Sequence, residues 1–72
     1  MKRYILEKKD EPGIFLQYVT AYPTEVFITQ DIEKAGIFYD IEFAEEMLDD
    51  AKAELKDYKI STVEVHVTLL KI

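Results

Sequence analysis

The stretch Asp40–Tyr58, DIEFAEEMLDDAKAELKDY, carries the strongest periodic signal in the chain. Phe43, Ala44, Met47, Leu48, Ala51, Leu55 and Tyr58 recur at steps of one, three and four, which places them on one stripe of a 3.6-residue period and predicts an amphipathic helix over 40–58. Asp40 stands where an N-cap belongs. Glu42, Glu45 and Glu46 follow in the first turns, where negative charge complements the helix dipole. At 100° per residue, Glu42, Glu46, Asp49, Asp50, Glu54 and Asp57 fall in one arc of the opposite face.

On either side of this helix the period changes to two. Downstream, residues 59–72 alternate Ser61, Val63, Val65, Val67 and Leu69 against Thr62, Glu64, His66 and Thr68, and predict a strand whose segment 63–69 lies against the helix. Upstream, residues 2–8 read as a first strand. The run Lys9-Asp10-Glu11-Pro12-Gly13 places Pro and Gly at the central positions of a type II turn, so residues 14–20 should return as a hairpin partner. That second strand is apolar on both sides, with Ile14, Leu16 and Tyr18 facing one way and Phe15 and Val19 the other. Pro23 interrupts the pattern, and residues 24–29 read as a third strand. Residues 30–35 fit a single helical turn ended by a left-handed Gly36, with Ile37 folding back toward Ile32. Residues 37–39 then link to the helix. The expected fold is α+β: a small, mostly antiparallel sheet in the order β-β-β, short helical turn, α, β, with one main helix packed on one face.

Seventy-two residues make one domain, spanning 1–72. A chain of this size buries only about 60% of the surface it exposes when unfolded, so its stability should be small. No cysteine is present, which removes disulfides, Cys-ligated zinc and thiol nucleophiles, and makes a cytoplasmic protein the simpler expectation. The N-terminal stretch MKRYILEKKD has a three-residue apolar run, too short for a signal peptide or a membrane span. Net charge is −6, and it is uneven: residues 1–9 hold four basic side chains against Glu7, while residues 31–57 hold ten acids against Lys34, Lys52 and Lys56. Such a balance argues against direct nucleic-acid binding, which depends on neutralising phosphates, and favours a basic protein surface as partner.

Each candidate site has a plain alternative. The acidic arc Glu42, Glu46, Asp49, Asp50, Glu54 and Asp57 reads as a partner-binding face that offers carboxylates in place of phosphates, or as a solvated face that keeps the protein soluble. Asp49, Asp50 and Glu54 have the spacing of a loose hard-cation site but lack the glycine and terminal glutamate of an EF-hand loop, so no metal and no cofactor is expected. His66 lies on the polar side of the last strand, with Ser61 as the sole serine, and the two glycines sit in turn positions, so no catalytic constellation emerges. Lys2, Arg3, Lys8 and Lys9 flank the first strand as edge protection would. Tyr18, Tyr22 and Tyr39 would mark an interface if exposed together. Because one helix covers one sheet face, Phe15, Val19 and Phe27 are expected on the other, buried by a second copy in a homodimer or by a curled sheet and its loops.

Tyr4-Ile5-Leu6, Ile14-Phe15-Leu16, the run Asp31-Ile32-Glu33-Lys34-Ala35 followed by Phe38, and Ala44 with Leu48 in an acidic helix together resemble small proteins of phages and prophages of Gram-positive bacteria. The similarity spans most of the chain in order; the Tyr22-Pro23 connection and the long last strand depart from it. It implies a bacterial host cytoplasm as context and, among small acidic phage proteins, inhibitors of host defence such as CRISPR or restriction components. The expected function is a non-catalytic interaction protein whose acidic helix face binds a basic surface. A structural or assembly module acting through the apolar sheet face and homodimerisation is the second expectation.

Overall fold

The computed structural model describes residues 1–21 and 23–64. Tyr22, His66 and the expected strand beyond Glu64 lie outside the described residues. The elements are β1 (Lys2–Lys8), β2 (Phe15–Val19), β3 (Val26–Thr29), a 3-10 turn (Ile32–Lys34), α1 (Ile41–Asp50) and β4 (Tyr58–Glu64). The four strands form one antiparallel sheet in the order β3-β2-β1-β4, with α1 on one face. This is the α+β fold that the periodicity predicts.

The β1–β2 turn follows its sequence. Ile14 N–H donates to the Glu11 carbonyl at 3.2 Å across Pro12-Gly13, and Gly13 has φ 93°, the left-handed value that a type II turn requires at its third position. Beyond this turn β1 and β2 pair only at Glu7 and Phe15, with Lys8 N–H on the Ile14 carbonyl at 2.9 Å. They then separate, and the segment before α1 enters the gap. Gly36 N–H donates to the Leu16 carbonyl of β2 at 2.9 Å, while Phe38 and Tyr4 of β1 exchange two bonds of 2.8 and 3.0 Å. The expected link over 37–39 is therefore a bridge inside the sheet.

That bridge corrects the expectation for Gly36. Among the described glycines only Gly13 has positive φ; the 3-10 turn ends on Ala35 at φ −63°, whose N–H reaches the Ile32 carbonyl at 3.3 Å. Gly36 is required for proximity, since a Cβ there would stand 2.6 Å from the Gln17 carbonyl oxygen. Ile32 and Ile37 are both exposed, so neither side chain is buried in closing the turn. Its start is capped instead by Asp31, whose side chain accepts from Glu33 N–H at 3.0 Å.

Gln17 also breaks the register of β2. The pairs are Phe15–Thr29, Leu16–Ile28, Tyr18–Phe27 and Val19–Val26, so Gln17 is the extra residue of a bulge. One inserted residue exchanges the faces of everything after it. Val19 therefore turns to the helix side with Leu16, and Tyr18 joins Phe15 on the other.

The helix is shorter than its apolar pattern. It ends at Asp50, with Asp49 and Asp50 at the negative end of the dipole and no basic residue in the last turn. The chain continues through successive turns, with Ala51 N–H on the Met47 carbonyl, Leu55 N–H on Ala51 and Tyr58 N–H on Leu55. These turns still deliver Leu55 and Tyr58 to the core, which explains why a helical spacing persists to 58. Asp40 is the N-cap residue by backbone, but its side chain makes no cap bond. Phe43 lies about 90° from the centre of the buried arc defined by Ala44, Met47, Leu48 and Ala51, and is 54% exposed instead of buried.

Under α1, Leu6, Leu16, Ala44, Ala51, Leu55 and Tyr58 form the main core, with Tyr4, Phe38 and Ile60 against it. Burial pushes the Tyr58 phenol above its ordinary value. On the opposite face Ile5, Phe15 and Ala35 form a second, smaller core, joined by Val63. Val63 therefore does not lie against the helix as expected: Tyr58 and Ile60 take the helix side of β4, and alternation sends Val63 to the other. Ala35, which ends the 3-10 turn, packs with Phe15; of the three residues that the curled-sheet alternative covers, only Phe15 is buried on this face.

The two glycines should respond differently to substitution. Gly36→Ala and Gly36→Asn should both cost about 1–3 kcal/mol, because any Cβ meets backbone. Gly13→Ala should cost about 1–2 kcal/mol and Gly13→Asn clearly less, because Asn tolerates left-handed φ. Urea unfolding of the four variants measures this, and equal costs for Gly36→Ala and Gly13→Asn would contradict the assignment.

Candidate functional site

The sheet face away from α1 presents aromatic side chains on both sides of its small core. The bulge at Gln17 puts Tyr18 on this face beside Phe27, and the two rings stack at 4.5 Å with 18° between planes. Both remain open to solvent, at 50% and 37% exposure. In the bridging segment Phe38 packs toward the helix side, so its neighbours Ile37 and Tyr39 point to the open face. Tyr39 is 69% exposed, and the Arg3 guanidinium of β1 lies 4.6 Å from its ring centroid. Phe27, Tyr18, Ile37, Tyr39 and Arg3 thus follow one another from β3 across the sheet to β1. Such a row of exposed aromatics and arginine has the composition of a contact surface.

The three residues expected to share a covered sheet face are separated. Phe15 is buried beneath Ala35, Val19 is half-buried on the helix side, and Phe27 alone of the three reaches the open surface. Tyr18 and Tyr39 take the places that the sequence gives to Phe15 and Val19. The signal for this exchange is Gln17, the one polar residue in the run 14–19, and it coincides with the bulge.

The six carboxylates of the acidic arc are all exposed. Glu42, Glu46, Asp49 and Asp50 lie on α1, whereas Glu54 and Asp57 belong to the turns that follow, so the arc does not continue past Asp50. Among the described residues none of the six has a lysine or arginine partner within 4.0 Å; the ion pairs run between the N-terminus and Glu64 at 3.0 Å and between Lys8 and Glu11 at 3.7 Å. No cluster of three or more Asp, Glu, His or Cys residues is arranged to hold a metal among the described residues.

Asp50 also borders an open cleft of about 500 Å³ between the end of α1 and the β2–β3 connection, with Val19, Thr20, Thr24, Met47 and Ala51. Its hydroxyls are engaged internally. Thr20 Oγ1 donates to the Pro23 carbonyl at 2.7 Å and accepts from Glu25 N–H at 3.0 Å, and Thr24 Oγ1 donates to Ala21 at 3.3 Å. These bonds close the β2–β3 connection and place no base beside a nucleophile.

Glu7 is the polar clamp of the open face. One carboxylate oxygen accepts from Gly13 N–H at 2.9 Å and the other from the Ser61 hydroxyl at 3.0 Å, so β1 is tied to the turn and to β4 at once. The Gly13 amide, then the Ser61 hydroxyl, hold this carboxyl below its ordinary 4.5, helped by Lys59 and opposed by partial burial. Ser61 is thereby a structural donor.

No protein-family model, curated protein or solved structure matches the chain. No described helix is long and apolar enough to cross a membrane.

Because the Glu7 pKa is lowered by folding, the stability it provides is present above the unfolded value near 4.5 and is lost as pH falls through the folded value. Glu7→Ala should therefore be less stable than wild type by about 1–2 kcal/mol near pH 7, and the gap should be narrower at an acid pH below 4.5. Urea titrations at the two pH values check this; a gap independent of pH would remove the carboxylate from the account.

Proposed function

We propose that this chain is a non-catalytic protein-interaction module whose contact surface is the open sheet face. The observation that carries this reading is the stacked, solvent-exposed Tyr18–Phe27 pair, continued by Ile37 and Tyr39. Stacked rings enter an interface with little rotamer freedom left to lose, and aromatic residues with arginine supply most of the binding energy at protein contacts. The partner is a protein with an apolar groove or patch, and the acidic helix, on the opposite side, faces away from it.

A second reading keeps the acidic helix as the contact. It is favoured by the exposure of Glu42, Glu46, Asp49 and Asp50 with no lysine or arginine within 4.0 Å among the described residues, and its partner would be a basic, nucleic-acid-binding surface of a host defence protein, in line with the sequence resemblance to small phage proteins. The two readings differ in salt dependence. Binding by exposed charges weakens steeply as salt rises, whereas binding by aromatic burial does not.

Capture from a bacterial lysate on immobilised protein separates them. Tyr18→Ala with Tyr39→Ala should lower retention of a specific partner at least about tenfold, while Glu42→Lys, Glu46→Lys and Asp49→Lys together should leave it within about twofold. Retention that survives the tyrosine variants and disappears with charge reversal or raised salt would replace the first reading by the second.

A further inference from the structure

β3 is an edge strand of the described sheet, blunted by its shortness but not by the residues it carries. Among the described residues it pairs with β2 alone, and its four residues are Val26, Phe27, Ile28 and Thr29, without a charge, proline or glycine in a chain that is 33% charged. Ile28 is 49% exposed on the helix side, and Phe27 is exposed on the open face.

The direction of its free hydrogen-bonding groups follows from the β2–β3 connection. The Glu25 carbonyl accepts from Thr20 N–H at 2.9 Å, so residue 25 directs its backbone groups toward β2. Alternation then points Phe27 and Thr29 inward and turns the N–H and C=O of Val26 and Ile28 outward, toward solvent.

We infer that β3 is the self-association edge of this protein, pairing antiparallel with β3 of a second copy about a two-fold axis at Phe27. In this register Val26 of one copy and Ile28 of the other exchange both backbone bonds, at two symmetric positions. Phe27 meets its counterpart at a non-hydrogen-bonded site, where facing side chains stand closest. Charge selects the register. Shifting the axis to Ile28 would set Glu25 directly opposite Asp31 of the other copy, a like-charge pair, and shifting it to Val26 would set Phe27 opposite Glu25; the Phe27 axis does neither. Stacking is also continuous, because the Tyr18–Phe27 pair meets the same pair across the axis. The isologous contact makes one eight-stranded sheet and leaves the aromatic row open on it. This inference rests on β3 alone and does not require the row to bind another protein.

A four-residue edge buries less than a standard interface, so the dimer belongs to the weak, concentration-dependent class. Sedimentation equilibrium of the full chain from about 1 μM to about 1 mM should show monomer passing to dimer. Ile28→Lys, at an exposed position, should raise the dissociation constant at least about tenfold while circular dichroism and melting stay those of the wild type. The chain has no cysteine, so single cysteines report register directly: under mild oxidation Phe27→Cys should cross-link faster than Ile28→Cys. Tyr39→Ala, remote from β3, should leave dimerisation unchanged, which separates this test from that of partner binding. A wild type that stays monomeric to about 1 mM, an Ile28→Lys protein that dimerises as well as wild type, or faster cross-linking of Ile28→Cys would each overturn the inference.

Discussion

The backbone contact between Gly36 and β2 is the constraint on which the rest of this molecule depends. Gly36 donates to the Leu16 carbonyl and passes so close to Gln17 that a side chain could not be accommodated. Two residues later Phe38 makes a two-bond bridge with Tyr4. The segment thus occupies the gap where β1 and β2 have parted and satisfies backbone groups on both sides, which buried peptide groups require. Without it the sheet would be two ribbons, β2–β3 and β1–β4, joined at the turn end alone.

This arrangement also sets the two surfaces. Phe38 reaches the main core with Tyr4, while its neighbours Ile37 and Tyr39 emerge on the open face. Close by, the bulge at Gln17 sends Tyr18 to that face and Val19 to the core. Both irregularities lie near the same bond, and each delivers aromatic surface to the side away from the acidic helix. The protein is therefore two-sided: carboxylates outside α1, and aromatics with Arg3 on the sheet. A small domain that leaves this much ring surface in water forgoes hydrophobic stabilisation it has little surplus of, and this supports reading the face as a place of contact.

Much of the fold was legible in the sequence because two periods and a few turn residues encode it. The bounds of β1, the type II turn at Pro12-Gly13 and the order of elements follow from alternation and turn chemistry. What stayed hidden depends on contacts distant in sequence. The bulge inverts the faces of Tyr18 and Val19 with no marker beyond a polar Gln17, so the expected set Phe15, Val19 and Phe27 names one surface residue in three. The left-handed assignment of Gly36 used a local rule where a tertiary approach decides. The apolar spacing through Leu55 and Tyr58 suggested a helix to residue 58, although the chain reaches the same core positions by turns. That difference removes Glu54 and Asp57 from a continuous helical arc, while Glu42, Glu46, Asp49 and Asp50 stand on α1 as the period places them.

Amide hydrogen exchange by NMR tests the inserted segment most directly. The Gly36 and Phe38 amides should exchange as slowly as the paired amides of β1, because each donates inside the sheet, while the Ile37 amide between them, which has no hydrogen-bond partner among the described residues, should exchange faster. Fast exchange at Gly36 and Phe38, at the rate of a surface connection, would contradict the insertion and with it the placement of Tyr39 beside Tyr18 and Phe27.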